Sequence, residues 1–244
     1  METTCADDGS VLSAGVMAES MRQAMTRKTP EEALRAVIAM ALGCAPCDQA
    51  SITVLGPGRT LETVAASDDR VVKADRLQYE LREGPCLDAV FTDGVFRVED
   101  LAADSRWPQW TPLADGFGIG ALLAVHLYTD TALGALNLYS EHPRGYDDLD
   151  VEIAKVVAAH ASVVLAHTRR TQDLWRAIDT RNLIGQAQGI LMARYGLTPE
   201  RAFAVLRRYS QARHTRLAAV AEELTSTGHL PDLDPTSEHC TVQR

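Results

Sequence analysis

From Tyr146 to Ile184 the chain runs for thirty-nine residues without a glycine or a proline. Those two residues are the strongest breakers of regular backbone, so the stretch predicts one long helix, straight or kinked, joining the two halves of the sequence. Asp147, Asp148 and Asp150 stand where a helix N-terminus favours negative charge. Ile153, Val156, Val157, His160, Val164 and His167 follow in helical phase, and Leu174, Ala177, Ile178 and Arg181 carry on from them. Such length with a narrow apolar seam predicts a coiled coil and hence a homodimer. The alternative is a helix that closes one domain and is followed by a linker.

At the far end of this stretch the charge changes sign. Residues 181–216 hold seven arginines, no lysine and one acid, Glu200, a net +6 in a chain of −9, so the remainder carries −15. Concentrated arginine in an acidic protein sets up a local field for a polyanion; a solvated helical face is the plainer alternative. Leu183, Ile184, Ala187, Ile190 and Leu191 form a stripe to be buried, and Arg181, Gly185, Gln188 and Met192 a second stripe that is polar or bare. Gly185 and Gly189 each cost a helix about 1 kcal/mol against alanine, tolerable where another backbone or a nucleic acid must come close. Thr198, Pro199 and Glu200 read as an N-cap and first turn. The helix they open is expected to bury Ala202, Phe203, Leu206 and Tyr209 and to turn Arg201, Arg207, Arg208 and Gln211 outward. Thr215 is expected to cap a third helix burying Leu217, Val220, Ala221 and Leu224, ended by Gly228 and Pro231.

Arg181, Ile184, Ala187, Gly189, Ile190, Leu191 and Met192, then Ala202-Phe203, Leu206-Arg207, Ser210-Gln211, Leu217 and Val220-Ala221 resemble the ANTAR domain. That domain is the RNA-binding output module of bacterial transcription antiterminators. The resemblance implies a three-helix module whose long first helix extends into a coiled coil. It also implies that the partner is paired (tandem) RNA hairpins whose formation competes with an intrinsic terminator. Charge and periodicity by themselves allow a helix-turn-helix DNA reader equally well. The expected contact set is Arg181, Gln188, Arg194, Arg201, Arg207, Arg208 and Arg213, with Met192 and Tyr195 as an apolar or stacking surface for a loop base.

The front half reads as layered α+β. Thr29-Pro30-Glu31-Glu32 is a capping box with proline at the first helical position, opening a helix that buries Leu34, Val37, Ile38 and Ala41. Gln49–Leu55 and Leu61–Ala66 alternate about Gly56-Pro57-Gly58 as a hairpin. Val71–Tyr79 is a short helix or loop insert, Gly84-Pro85 opens another short helix, and Val95–Val98 is a strand. Asp104–Trp110 is loop or irregular helix, and two long strands follow at Ile119–Tyr128 and Leu133–Tyr139. A helix is expected at Val11–Arg27, after a disordered start. Glu83-Gly84-Pro85-Cys86, Val98-Glu99-Asp100-Leu101, Arg106-Trp107-Pro108, residues 134–139 and Tyr146-Asp147-Asp148 together resemble a GAF domain of the kind that precedes ANTAR modules in actinobacteria. This implies a small-molecule or redox sensor fold, the signal itself unknown, with an antiparallel sheet of about six strands and a ligand cavity on the face away from the terminal helices. The signatures of cyclic-nucleotide and bilin binders are missing, Cys86 being followed by Leu87 rather than histidine, so the cofactor stays unknown. The domains are then 1–28, a tail and helix; 29–168, the sensor; 169–230, the RNA-binding module; and 231–244, a disordered tail.

A sensor pocket is expected, bordered by parts of Leu81–Cys86 and Trp107–Phe117 and lined by Cys86, Trp107, Trp110 and Phe117, with Cys86 near its rim. Cys44-Ala45-Pro46-Cys47 has the spacing of a redox or zinc half-site; no second pair of zinc ligands exists, so no metal is assigned, and redox sensing stays the lesser alternative to structural thiols. No catalytic serine–histidine, metal-hydrolase or glycine-rich phosphate motif occurs, and no catalytic residue is assigned. The competing reading as an enzyme is a thiol redox catalyst of the free-methionine-sulfoxide-reductase type, since that enzyme is built on the GAF fold. It requires Cys86 with Cys44 or Cys47 as resolving thiol. The acidic N-terminus is unlike a signal peptide. The apolar runs 117–128 and 151–166 are interrupted by His126, Glu152, Lys155 and His160, so no membrane span is expected and the protein is read as soluble and cytoplasmic.

Overall fold

The computed structural model describes residues 19, 22, 29–45 and 47–230. The expected helix at Val11–Arg27 and the two tails otherwise lie outside the described residues. The chain divides into two compact units after Arg169.

In the first unit, α1 (Pro30–Cys44) is capped as its sequence asks, Thr29 Oγ1 accepting from the Glu32 N–H at 3.2 Å. Then come β1 (Gln49–Leu55), β2 (Leu61–Ala66), α2 (Asp69–Leu81), α3 (Pro85–Thr92), β3 (Val95–Val98), α4 (Thr111–Asp115), β4 (Ala121–Tyr128) and β5 (Ala132–Ser140). The strands form one antiparallel sheet in the order β2-β1-β5-β4-β3. It has five strands among the described residues, against an expectation of about six.

Strand alternation sorts the sheet into two unlike faces. Ala50 and Ile52 of β1, Leu123, Val125 and Leu127 of β4, and Leu136 and Leu138 of β5 face a fully apolar layer. It is completed by α1 and the start of α5 (Asp148–Tyr195), through Val151, Ala154, Val157, Ala161, Val164 and Leu165. The other face is covered by α2 and α3. Its periphery is apolar (Val90, Leu101, Trp110, Ile119, Leu122), but its centre is polar, because Ser51, Thr53, Asn137 and Tyr139 point that way and are fully buried. Arg169 closes the first unit by donating from Nη2 to the Leu55 and Leu133 carbonyls at 2.6 and 3.2 Å.

In the second unit the end of α5, α6 (Pro199–Ala212) and α7 (Leu217–Thr227) share a core of Ala187, Leu191, Ala202, Leu206, Tyr209, Val220, Ala221 and Leu224. Thr198 caps α6 through the Arg201 N–H. Two details differ from the sequence reading. The cap of α7 is Arg216, without a side-chain bond, because the helix begins at Leu217 and leaves Thr215 one residue short of the cap position, its hydroxyl donating to the Arg213 carbonyl at 3.1 Å. Phe203 is not core: it lies one position round the helix from Ala202, Leu206 and Tyr209, which fill the buried face, and is 38% exposed. α5 is one unbroken helix of 48 residues.

Candidate functional site

The arginine surface of the second unit divides into residues used internally and residues left outward. Arg194 Nη1 donates to the Gly228 carbonyl at 2.7 Å, tying the end of α5 to the end of α7, and its guanidinium lies 5.7 Å from the Tyr195 ring centre. Arg213 approaches Glu223 at 3.9 Å and lies over the Tyr209 ring. Gln188 Nε2 donates to the Pro199 carbonyl at 3.0 Å and so docks the start of α6. Met192 and Tyr195, expected as a stacking surface, are half-buried against the three-helix core. Arg181, Arg201, Arg207 and Arg208 are exposed and enter no ion pair among the described residues. On α6, Arg201 and Arg208 are two turns apart on one face, with Arg207 beside them. The predicted set is therefore brought onto one small module, but Arg194, Arg213 and Gln188 already hold it together. Gly185 and Gly189 are exposed, and a Cβ on either would meet nothing within 4 Å, so the bare face of α5 is open.

In the first unit the predicted pocket residues converge differently from expectation. Cys86, Trp107 and Trp110 are buried among the side chains beneath α2 and α3, and Phe117 is half-buried at their edge. Cys86 is fully buried, not at a rim: the Gly84-Pro85 turn starts α3 pointing inward, and the Cys86 N–H donates to Gln78 Oε1 at 2.9 Å. Glu83 anchors the aromatic segment, its carboxylate accepting from the Gln109 and Trp110 N–H groups at 2.7 and 3.1 Å. Trp107 donates to Asp88 at 2.9 Å and Trp110 to the Ala74 carbonyl at 3.2 Å.

At the centre of this face stands a buried network that the sequence reading missed. Asp75 of α2 accepts from the Tyr139 hydroxyl, from Asn137 Nδ2 at 3.2 Å and from Thr63 Oγ1 at 2.9 Å. The Tyr79 hydroxyl joins Thr53 and Thr63, both at 2.8 Å. The Cys86 thiol donates to Thr53 Oγ1 at 3.3 Å. Burial pushes the Asp75 carboxyl up to about 6, against the pull of its hydrogen bonds. Two amide atoms inside the network, Gln78 Nε2 and Asn137 Oδ1, are buried without a partner. The available signal was the alternation of β1 and β5: polar Gln49, Ser51, Thr53 and Asn137 on a sheet covered on both faces.

The geometry also bears on thiol chemistry. Burial, with Asp75 nearby, pushes the Cys86 thiol up to about 12, so at neutral pH it holds its proton and is a poor nucleophile. Cys44 and Cys47 pack on the opposite, apolar face of the sheet. A disulfide needs Cα atoms within about 7 Å, and here the sheet stands between the proposed partners. The pairing that the redox-enzyme reading requires is not made.

A family model for the GAF domain matches residues 27–166, and one for the ANTAR domain matches residues 172–224. No curated protein matches the chain. Among solved structures the chain is similar to the GAF domain of a phosphoenolpyruvate-protein phosphotransferase from Coxiella burnetii, at 14% identity and TM-score 0.55, over 66% of this chain and 96% of that one. It is also similar to free methionine-R-sulfoxide reductase from Neisseria meningitidis, at 15% identity and TM-score 0.52, over 70% of this chain and 98% of that one. At such identities the likeness is one of fold. The GAF match spans more than half of the sequence and the ANTAR match follows it directly, so the chain belongs to the GAF family and carries a C-terminal ANTAR domain.

Proposed function

We propose that the protein is a transcription antitermination regulator that binds tandem hairpin RNA through its ANTAR domain under control of its GAF sensor. The observation that carries this reading is the set of exposed arginines without ion pairs on the second unit, Arg181, Arg201, Arg207 and Arg208, in a chain that is otherwise strongly acidic. Cations left free of carboxylates on a rigid helical module are matched to phosphate oxygens. The GAF and ANTAR domains together support an RNA-binding regulator with a sensor rather than an enzyme. No helix among the described residues is long and apolar enough to cross a membrane, in keeping with action on RNA in the cytoplasm.

The same reading makes the protein a homodimer along α5. Leu149, Val156 and Val163 are exposed at steps of seven residues on that helix, and Leu174 and Ile178 continue the exposed apolar series. Apolar side chains repeating at that step on a helix surface suit a coiled-coil seam. The sensor input acts on the face holding Cys86, Trp107, Trp110 and Phe117, and the unpartnered Gln78 and Asn137 amide atoms support a polar signal there.

Titration of the full chain with a tandem-hairpin RNA and a matched duplex DNA tests this. With about four phosphates neutralised, log affinity for RNA against log salt should fall with a slope near −3, taking about 0.7 per phosphate on single strands. Arg208→Ala should flatten that slope by somewhat under one unit and weaken all RNAs alike. Light scattering should report two copies of the 26.5 kDa chain. Tighter binding to DNA, or RNA binding that ignores salt, returns the module to a helix-turn-helix DNA reader; a monomer with and without RNA removes the coiled coil.

A further inference from the structure

Phe203 is a large aromatic side chain on the outside of a module whose core is already complete, and it forms one wall of a groove of about 520 Å3 within the second unit. The floor is apolar, from Ala177 and Ile184 of α5. The rim is cationic and polar, from Arg176, Arg181 and Thr180, with Gln188 at the end where it holds Pro199. Arg181 is exposed and enters no ion pair among the described residues. Arg176 meets Asp173 only across an exposed 3.6 Å contact, a kind of pair that holds a side chain weakly. One turn beyond Phe203, Arg207 lies on the same helix face.

We infer that this groove takes one unpaired RNA base, stacked on the Phe203 ring, while Arg181 and Arg176 hold the phosphates on either side of it. The inference rests on the RNA reading above and names the part of the RNA that enters. A flat apolar wall between guanidinium groups matches a base flanked by phosphates, whereas a purely phosphate-binding surface has no use for an exposed phenyl ring. Sequence-selective RNA recognition targets bases splayed out of loops, since the A-form major groove is too narrow to read, and aromatic rings are the usual platforms for them. The stacking residue is thus Phe203 and not Tyr195, whose ring is packed against the core beneath Arg194.

The test uses the full chain and a tandem-hairpin RNA carrying 2-aminopurine at each loop position in turn. One position should lose fluorescence on binding the wild type, and Phe203→Ala should restore it while weakening the RNA about tenfold or more. Phe203→Tyr should behave as wild type. Phe203→Leu keeps the bulk and lacks the ring, so it should fail as alanine does, which separates stacking from folding. The salt slope should stay unchanged in Phe203→Ala and flatten in Arg181→Ala. Unchanged affinity and quenching in Phe203→Ala and Phe203→Leu overturn the inference and leave the RNA reading standing. So does loss of the dimer by Phe203→Ala with intact RNA binding per dimer, which assigns the groove to a second copy of the chain. A wild type that binds no hairpin RNA overturns both.

Discussion

Gly134→Ala is expected to unmake the sensor sheet. Gly134 pairs with Val54 across the β1–β5 ladder, and a Cβ there would sit 1.8 Å from the Thr53 carbonyl oxygen and 3.0 Å from the Val54 Cα. Nothing flexible lies in the way; the clash is with the backbone of a central strand. Relief requires β1 and β5 to part where they carry both layers of the fold. The cost belongs with the largest single-residue effects, about 4 kcal/mol or more. Far-UV circular dichroism and solubility of the purified variant check this. The contrast is Gly185→Ala, in open space on α5, which should stabilise the second unit by up to about 1 kcal/mol through helix propensity alone. A Gly134→Ala protein that melts like the wild type would mean that the ladder is not paired in this register.

Asp75→Asn is expected to abolish a pH dependence of stability in the first unit. The folded carboxyl titrates at about 6 against an ordinary 3.8, with burial as the main cause. The fold therefore holds a proton there between those values that the unfolded chain has released. Stability from this group is complete below about pH 4 and is lost as pH rises through about 6. The loss levels off near 3 kcal/mol, the equivalent of about two pH units. Asparagine keeps an acceptor for Tyr139 and Asn137 and offers an amide to Thr63, so the network survives without the titration. Urea melts of both proteins from pH 4.5 to 8 should show the variant gaining on the wild type as pH rises, with the gap steady above about pH 7. A gap that does not change with pH would show that Asp75 is ionised throughout, or that water reaches it.

Much of this could be read from local chemistry. The Thr29 and Thr198 caps, with proline at the next position, gave the first residue of two helices. The alternation of Gln49–Leu55 and Leu61–Ala66 about a Gly-Pro-Gly turn gave the hairpin, and the absence of breakers gave α5. What escaped depends on partners distant in sequence. Asp75, Asn137 and Tyr139 form a site only because α2 crosses a strand, β5, more than sixty residues away. Each alone looks like an ordinary polar or aromatic residue. Phe203 escaped because hydrophobicity marks a residue as able to be buried without saying whether room remains; Ala202, Leu206 and Tyr209 had filled the face. Thr215 has the chemistry of a cap, but the helix starts one residue later than a Thr215 cap would set it, at Leu217. Arg194, Arg213 and Gln188 carry the right chemistry for RNA and are turned to holding helices together, a distinction that charge counting is blind to.

The three tryptophans give the protein two optical reporters at once. Trp107 and Trp110 sit edge to face, ring centres 6.4 Å apart, buried beneath α2 and α3, whereas Trp175 on α5 is 61% exposed. Indoles in a dry, fixed setting emit toward the blue, and one facing water emits toward the red and is open to quenching by iodide. A small molecule acting on the face proposed for the sensor input would alter the blue component. Pairing along α5, as proposed above, would shield Trp175, the neighbour of the exposed Leu174, from the quencher. Under the proposed function, input and assembly would then be read in one unlabelled sample, at separate wavelengths.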